Sequence, residues 1–155
     1  PIYMSLAISG GDDSLVKVWD LQSGKQVFRW QLLNQVKVVA ISQDGRLGFG
    51  ASYRGKSNIW DLTTGELLVS LPKVEGHIQS ARFNNDGRQL LTGTSSGFVY
   101  LWQVKGGQAD GVWKLAARND WVSKNTQVLD VAFSAGNYKA VGANGITYQL
   151  SKPNK

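Results

Sequence analysis

Apolar positions in this chain fall in short runs broken by polar turns, and no run approaches the ~20 residues of a membrane span. The runs "VKVVAI", "IQSARF" and "VLDVAF" each precede a segment rich in Gly, Ala, Ser and Thr ("GFGAS", "LLTGT", "AVGA"). Between residues 35 and 75 the pattern predicts strands over 36–42, 46–52, 56–61 and 66–71. "QDG" and "NNDG" supply hairpin turns, because Gly tolerates the positive φ that such turns require. "QSG" and "TTG" close a second kind of hairpin in the same manner. Nearly continuous apolar first strands imply sheets covered on both faces. Small residues in the second strands let neighbouring sheets approach closely, and mixed last strands such as "VFRW" belong at the periphery. The stretch 111–122, "GVWKLAARNDWV", has helical spacing, but register with the other segments makes its first half a strand.

The strand pattern repeats. "VKVWDLQSGKQV" at 16–27 has a near-double in "SNIWDLTTGELL" at 57–68, with Trp19 and Trp60 separated by 41 positions and Trp102 a further 42 along. A fourth copy, "YKAVGANGITYQL", carries Leu150 in place of the Trp. A period in the low forties marks a repeat architecture. It divides the chain into repeats of approximately 1–34, 35–75, 76–118 and 119–155.

These residues resemble the WD-repeat β-propellers. The likeness rests on Trp19-Asp20 and Trp60-Asp61, the turn residue Asp13 before Trp19, and Gly76-His77 ahead of the third repeat. It implies an all-β fold of blades of four antiparallel strands, about three and a half of them here, belonging to a seven-bladed ring. Family proteins link a Gly-His histidine, a strand Ser or Thr, a turn Asp and the Trp by hydrogen bonds within one blade. Here the set is incomplete: Ser9, Asp13 and Trp19 in the first repeat, and His77, Thr92 and Trp102 in the third, where Ser96 replaces the Asp. Such divergence is similar to that of bacterial members. The first repeat lacks room for an innermost strand and the last for an outermost one, leaving an expected 14 strands. The expectation is a C-terminal half of a longer propeller whose remaining N-terminal half supplies the other blades.

Composition changes this picture little. The 18 glycines exceed the usual ~7% and fit tight turns and close sheet packing. Cysteine is absent, which excludes disulfides and thiolate metal sites and leaves a cytoplasmic and an exported bacterial compartment both open. The chain opens on Pro1 with no signal peptide, as expected of a processed product or a piece of something longer. The net charge of +6 comes from Lys and Arg scattered almost evenly, which suits a solubilising surface better than a nucleic-acid track.

Catalytic and metal chemistry find little footing. "GTSSG" at 93–97 matches the pattern of a hydrolase nucleophile elbow, but strands flank it where a strand and a helix are needed. His77 is the single histidine, so a metal site lacks ligands and a structural hydrogen bond is the better reading. Asp12 and Asp13 are adjacent, yet no loop carries the alternating oxygen ligands of a calcium site. No metal and no cofactor are expected. Trp19, Trp60 and Trp102 belong between blades, and Trp30 and Trp113 near the rim. Trp121, in the long connection "RNDWVSKNTQ", either tucks over a blade edge or anchors a partner.

The resemblance implies that turns after the second strands share one face with the inter-blade connections. Carried onto this chain, that face presents Asp12, Tyr53, Arg54, Gln79, Ser95, Trp121 and Lys124. The mixed array suits a protein or peptide partner and lacks paired carboxylates for acid–base work. The expected function is a non-catalytic protein-interaction scaffold. The rival reading is a propeller enzyme or carbohydrate-binding protein whose functional residues lie in the N-terminal half.

Overall fold

The computed structural model describes residues 5–116 and 126–152. Among these residues the chain is all strand and turn, with no helix. The first sheet holds β1 (Leu6–Gly10), β2 (Leu15–Asp20) and β3 (Gln26–Gln31). The second holds β4 (Val36–Ile41), β5 (Leu47–Ser52), β6 (Ser57–Asp61) and β7 (Leu67–Leu71). The third holds β8 (Ile78–Phe83), β9 (Gln89–Thr94), β10 (Phe98–Gln103) and β11 (Ala109–Lys114). The fourth holds β12 (Val128–Ser134), β13 (Asn137–Gly142) and β14 (Thr147–Leu150). All pairings are antiparallel between consecutive strands. These are propeller blades of the kind expected, and the strands of the second repeat fall within one residue of their expected bounds. The ambiguous stretch 111–122 begins as strand β11, and its second half lies outside the described residues.

Apolar cores lie between sheets. Phe49, Ala51, Ile59 and Leu71 of the second sheet pack on Ile78, Phe83, Leu90 and Trp102 of the third. Leu91, Val99, Leu101 and Leu115 then pack on Val128, Val131, Tyr138 and Ala140 of the fourth. Leu90 and Leu91 are both fully buried, yet they serve opposite faces, because successive strand residues point to opposite sides. Val16 and Leu32 join Val36 and Trp60 across the first interface.

The approach of sheets depends on residue size at one repeated position. A Cβ on Gly10 would lie 2.3 Å from Cγ1 of Val36, and one on Gly93 would lie 2.3 Å from Cγ1 of Val128. Val36 and Val128 open the inner strands β4 and β12 of the following blades. In the second sheet the same position is Ala51, packed with Ile78 at the start of β8. Each inner strand also bulges after that first residue, leaving Lys37, Gln79 and Leu129 without a cross-strand partner.

The Trp-Asp phrase is a turn device. Asp20 accepts hydrogen bonds from the Gln22 amide at 2.9 Å and the Ser23 hydroxyl at 2.8 Å. Asp61 accepts from the Thr63 amide at 2.7 Å and from the Thr63 hydroxyl. Gly24 and Gly65 then turn the chain at φ of 68° and 80°, each donating its N–H back to the aspartate carbonyl. The preceding Trp uses its ring elsewhere. Trp19 Nε1 donates to Ser9 Oγ at 3.0 Å, and Trp102 Nε1 to Thr92 Oγ1 at 2.9 Å. Trp60 and Trp102 are buried, whereas Trp19 is half-buried, since no sheet precedes its own among the described residues. Trp30 stacks on Trp60 of the next sheet with centroids 4.5 Å apart, and Trp113 leans on Tyr138 at 5.2 Å.

Two outcomes follow. Gly93→Val is expected to cost about 1–3 kcal/mol through overpacking. Adding Val128→Ala should recover part of that, and denaturant midpoints of the two variants provide the measurement. Separately, the hydroxyls of Ser23, Ser42 and Thr63 hold the carboxyls of Asp20, Asp44 and Asp61 below the ordinary value, with backbone amides assisting. A depressed folded-state pKa gives stabilisation that is complete above the unfolded value, about 4, and disappears as pH falls through the folded value. Denaturant midpoints should therefore drop below about pH 4, and Asp61→Asn should make that drop shallower.

Candidate functional site

Strand pairing decides which loops meet. Val36 lies opposite Ser52 and Ile78 opposite Thr94, so the chain enters each inner strand beside the turn that leaves the second strand. The connections 32–35 and 72–77 therefore share one end of the sheets with the turns 11–14, 53–56 and 95–97. Of the residues expected on this face, Asp12, Tyr53, Arg54, Gln79 and Ser95 are found at that end. Trp121 and Lys124 lie outside the described residues.

His77 organises the centre. Gly76, at φ 77°, brings it in so tightly that a Cβ on that glycine would sit 2.5 Å from Ser96 Oγ. The His77 amide donates to Ser95 Oγ at 3.1 Å, and the Ser95 amide donates to the His77 carbonyl at 2.9 Å. Ser95 Oγ also lies 3.1 Å from His77 Nδ1. The hydroxyl thus accepts the backbone N–H and shares a second hydrogen bond with the ring nitrogen Nδ1. Burial pushes the His77 pKa below its ordinary value, and the cations Lys37 and Arg54 push it the same way. Thr92, the expected partner of His77 by resemblance, bonds Trp102 instead. The family's hydrogen-bond set is thus divided into two pairs in this blade.

The Ser95–His77 pair has a dyad's atoms without a dyad's surroundings. Ser95 stands in a tight turn between β9 and β10, and Gly97 beside it is packed on the Thr126 backbone. The imidazole faces the serine through Nδ1, and no carboxylate is hydrogen-bonded to its ring among the described residues. No group of three His, Asp or Glu side chains able to hold a metal occurs among the described residues.

Around this clip the surface is aromatic and cationic. Tyr53 meets the His77 ring edge-on at 5.0 Å, and the Arg54 guanidinium lies 5.2 Å from the Tyr53 centroid. Arg54 is held at φ 55°, a left-handed conformation that aims it out of the turn. Nearer the inner strands, the bulged Lys37 pairs with Asp12 at 3.6 Å. The bulged Gln79 donates Nε2 to Gln127 at 3.4 Å. Gln79 Oε1 is buried and has no hydrogen-bond partner among the described residues. Leu33, in the connection beside Tyr53, is 83% exposed. Reading the residues in sequence missed Lys37, Gln127 and Leu33. The first two depend on bulges and blade neighbours, but an exposed leucine in "QLLNQ" was a signal available to find.

Comparison with known proteins agrees with the repeat architecture. Residues 65–103 match the family described as WD domain, G-beta repeat. The mouse target of rapamycin complex subunit LST8 is 26% identical over 130 residues, covering 81% of this chain and 39% of that protein. Translation initiation factor 3 subunit I of Scheffersomyces stipitis is 26% identical over 147 residues, covering 84% and 41%. The chain carries a WD repeat and is similar over most of its length to WD-repeat propeller proteins. It spans about two fifths of the length of these relatives. The fruit-fly LST8 homolog reaches 30% identity over 73% of the chain. Among solved structures, the computationally designed Ika4 protein superposes with a TM-score of 0.76 at 19% identity, over 96% of this chain and 86% of that one. This last likeness concerns the fold alone. The matched WD repeat begins at Gly65 before β7 and ends with β10, so a sequence repeat straddles two blades.

The pH response of His77 tests the site. Its titration midpoint by NMR is expected below the ordinary ~6.5, and Lys37→Ala or Arg54→Ala should each raise it. Because the folded value is depressed, the stabilisation from the neutral ring is present above the unfolded pKa and is lost as pH falls through the folded one.

Proposed function

We propose that this chain is a non-catalytic protein-interaction module that captures a protein or peptide partner on the Tyr53 face. The observation that carries the reading is the assembly of Tyr53, Arg54, Lys37 and exposed Leu33 around a His77–Ser95 clip whose polar groups are already engaged with each other. A group committed to such a clip positions its neighbours and is not free to react. An aromatic and an arginine beside an exposed leucine provide what interface centres favour. Two relatives are named as subunits of larger assemblies, which is the company expected of an interaction module. Trp121 and Lys124 extend the same face in this proposal.

The proposal includes the surroundings of the chain. Its four repeats, approximately 1–34, 35–75, 76–118 and 119–155, form part of a ring of about seven blades, with an N-terminal half of a longer protein supplying the rest. The span of two fifths of its relatives' length supports this reading.

The test uses the intact protein and the partners that co-purify with it. Tyr53→Ala, Leu33→Ala and Trp121→Ala are each expected to weaken capture by about tenfold or more, a typical loss for an interface anchor. Thermal melts should stay within a few degrees of the parent. Undiminished capture by all three variants removes this face as the binding site.

A further inference from the structure

We propose that the groove between the third and fourth sheets, at the end opposite the Tyr53 face, binds a neutral saccharide of one or two rings. Its origin is a difference between hairpins. Ser42 pairs with Leu47 and Asn84 with Gln89, so the first hairpins of the second and third sheets have loops over 43–46 and 85–88. In the fourth sheet Ser134 pairs directly with Asn137, leaving only Ala135 and Gly136 in the loop. Both take left-handed φ, 40° and 84°, the signature of the tightest hairpin turn.

The shorter turn leaves space that its predecessor fills. A Cβ on Gly87 in the third sheet would lie 3.2 Å from Cδ1 of Leu47 and 3.9 Å from Cβ of Ser42, so that loop closes on the second sheet. A Cβ on Gly136 would meet nothing within 4 Å. The result is a groove of about 440 Å³, within the range of roughly 300–1,000 Å³ typical of small-molecule sites.

The lining selects the ligand class. One wall presents Asn84, Asp86 and Gln89, and the other presents Asn137 with the rings of Phe133 and Tyr138. Asn84 spends its carbonyl oxygen on the Gln89 amide, leaving its NH₂ donors. Asp86 accepts the Arg88 amide through Oδ1, while its Oδ2 lies 3.9 Å from Arg88 Nε and keeps lone pairs for a hydroxyl of the ligand. Planar amides beside a carboxylate offer donor and acceptor side by side, as adjacent hydroxyls on a pyranose require. Half-exposed Phe133, at 5.8 Å from the Tyr138 ring, supplies an apolar wall for the C–H face of a sugar. No lysine or arginine lines the groove among the described residues, and Arg88 at its edge is paired with Asp86, so the groove favours a neutral ligand over an anionic one.

The experiment is saturation-transfer NMR followed by calorimetric titration of the intact protein with glucose, galactose, mannose, N-acetylglucosamine and their disaccharides. At least one is expected to bind with Kd of roughly 1 mM or tighter. Asn137→Ala should weaken it about tenfold, the equivalent of one lost hydrogen bond. Replacing the Ala135–Gly136 loop with the longer Asn-Asp-Gly-Arg loop of the third sheet should abolish binding, and Tyr53→Ala should leave it unchanged. No binding by any sugar of the panel overturns the proposal, as does binding that survives both the Asn137 and the loop variants. Inorganic phosphate binding in place of sugar overturns it too.

Discussion

Each sheet reaches the next through a contact between a residue with almost no side chain and a β-branched one. Gly10 against Val36, Ala51 against Ile78 and Gly93 against Val128 occupy the same place in successive blades. A β-branched side chain is stiff, and a glycine opposite it sets how near the two backbones come. With this approach fixed, Trp60 and Trp102 are enclosed, and the faces of the middle sheets are covered on both sides. The same packing holds the connections and turns at one end beside one another. The Tyr53–His77 contact between blades exists because Ala51 allows Ile78 to close in, two residues from Tyr53 and one from His77.

The turn chemistry acts locally and repeats with the chain. Asp20 and Asp61 each fold a hairpin by accepting from the residues just beyond them, and the following glycine completes the reversal. In the third blade Gln103 replaces the aspartate, and Gly107 still donates its N–H to the Gln103 carbonyl. The backbone bond and the glycine therefore preserve the turn, while the carboxylate strengthens it. The tryptophan before the aspartate has a separate task, bonding a strand hydroxyl ten residues back. Two demands of different origin explain why the phrase recurs as a unit.

Legibility followed sequence distance. Strands and hairpins were readable because alternation, apolar runs and Asp-Gly pairs act within a few residues. Trp30 and Trp113 were expected near the rim. Their actual contacts, on Trp60 and Tyr138 of the next blades, involve partners 30 and 25 positions away. Pairing His77 with Thr92 was the natural inference from a family pattern, and the chain instead uses Ser95, brought to the imidazole by the turn after β9. Lys37 and Gln79 reach the face through bulges, which no residue type marks, since the bulged position holds Lys37, Gln79 and Leu129 in successive blades.

By itself, the sequence determined the all-β class, the fourfold repetition and the position of nearly every turn, because these depend on hydrophobic period and on the φ that glycine and aspartate permit. Only the tertiary structure decided which loops touch, which bulged side chains stand at the mouth of the inner strands, and where a two-residue turn leaves a groove. The physical reason is that such contacts depend on the distance and rotation between sheets. Those are set by packing between residues remote in the chain, and no local pattern records them.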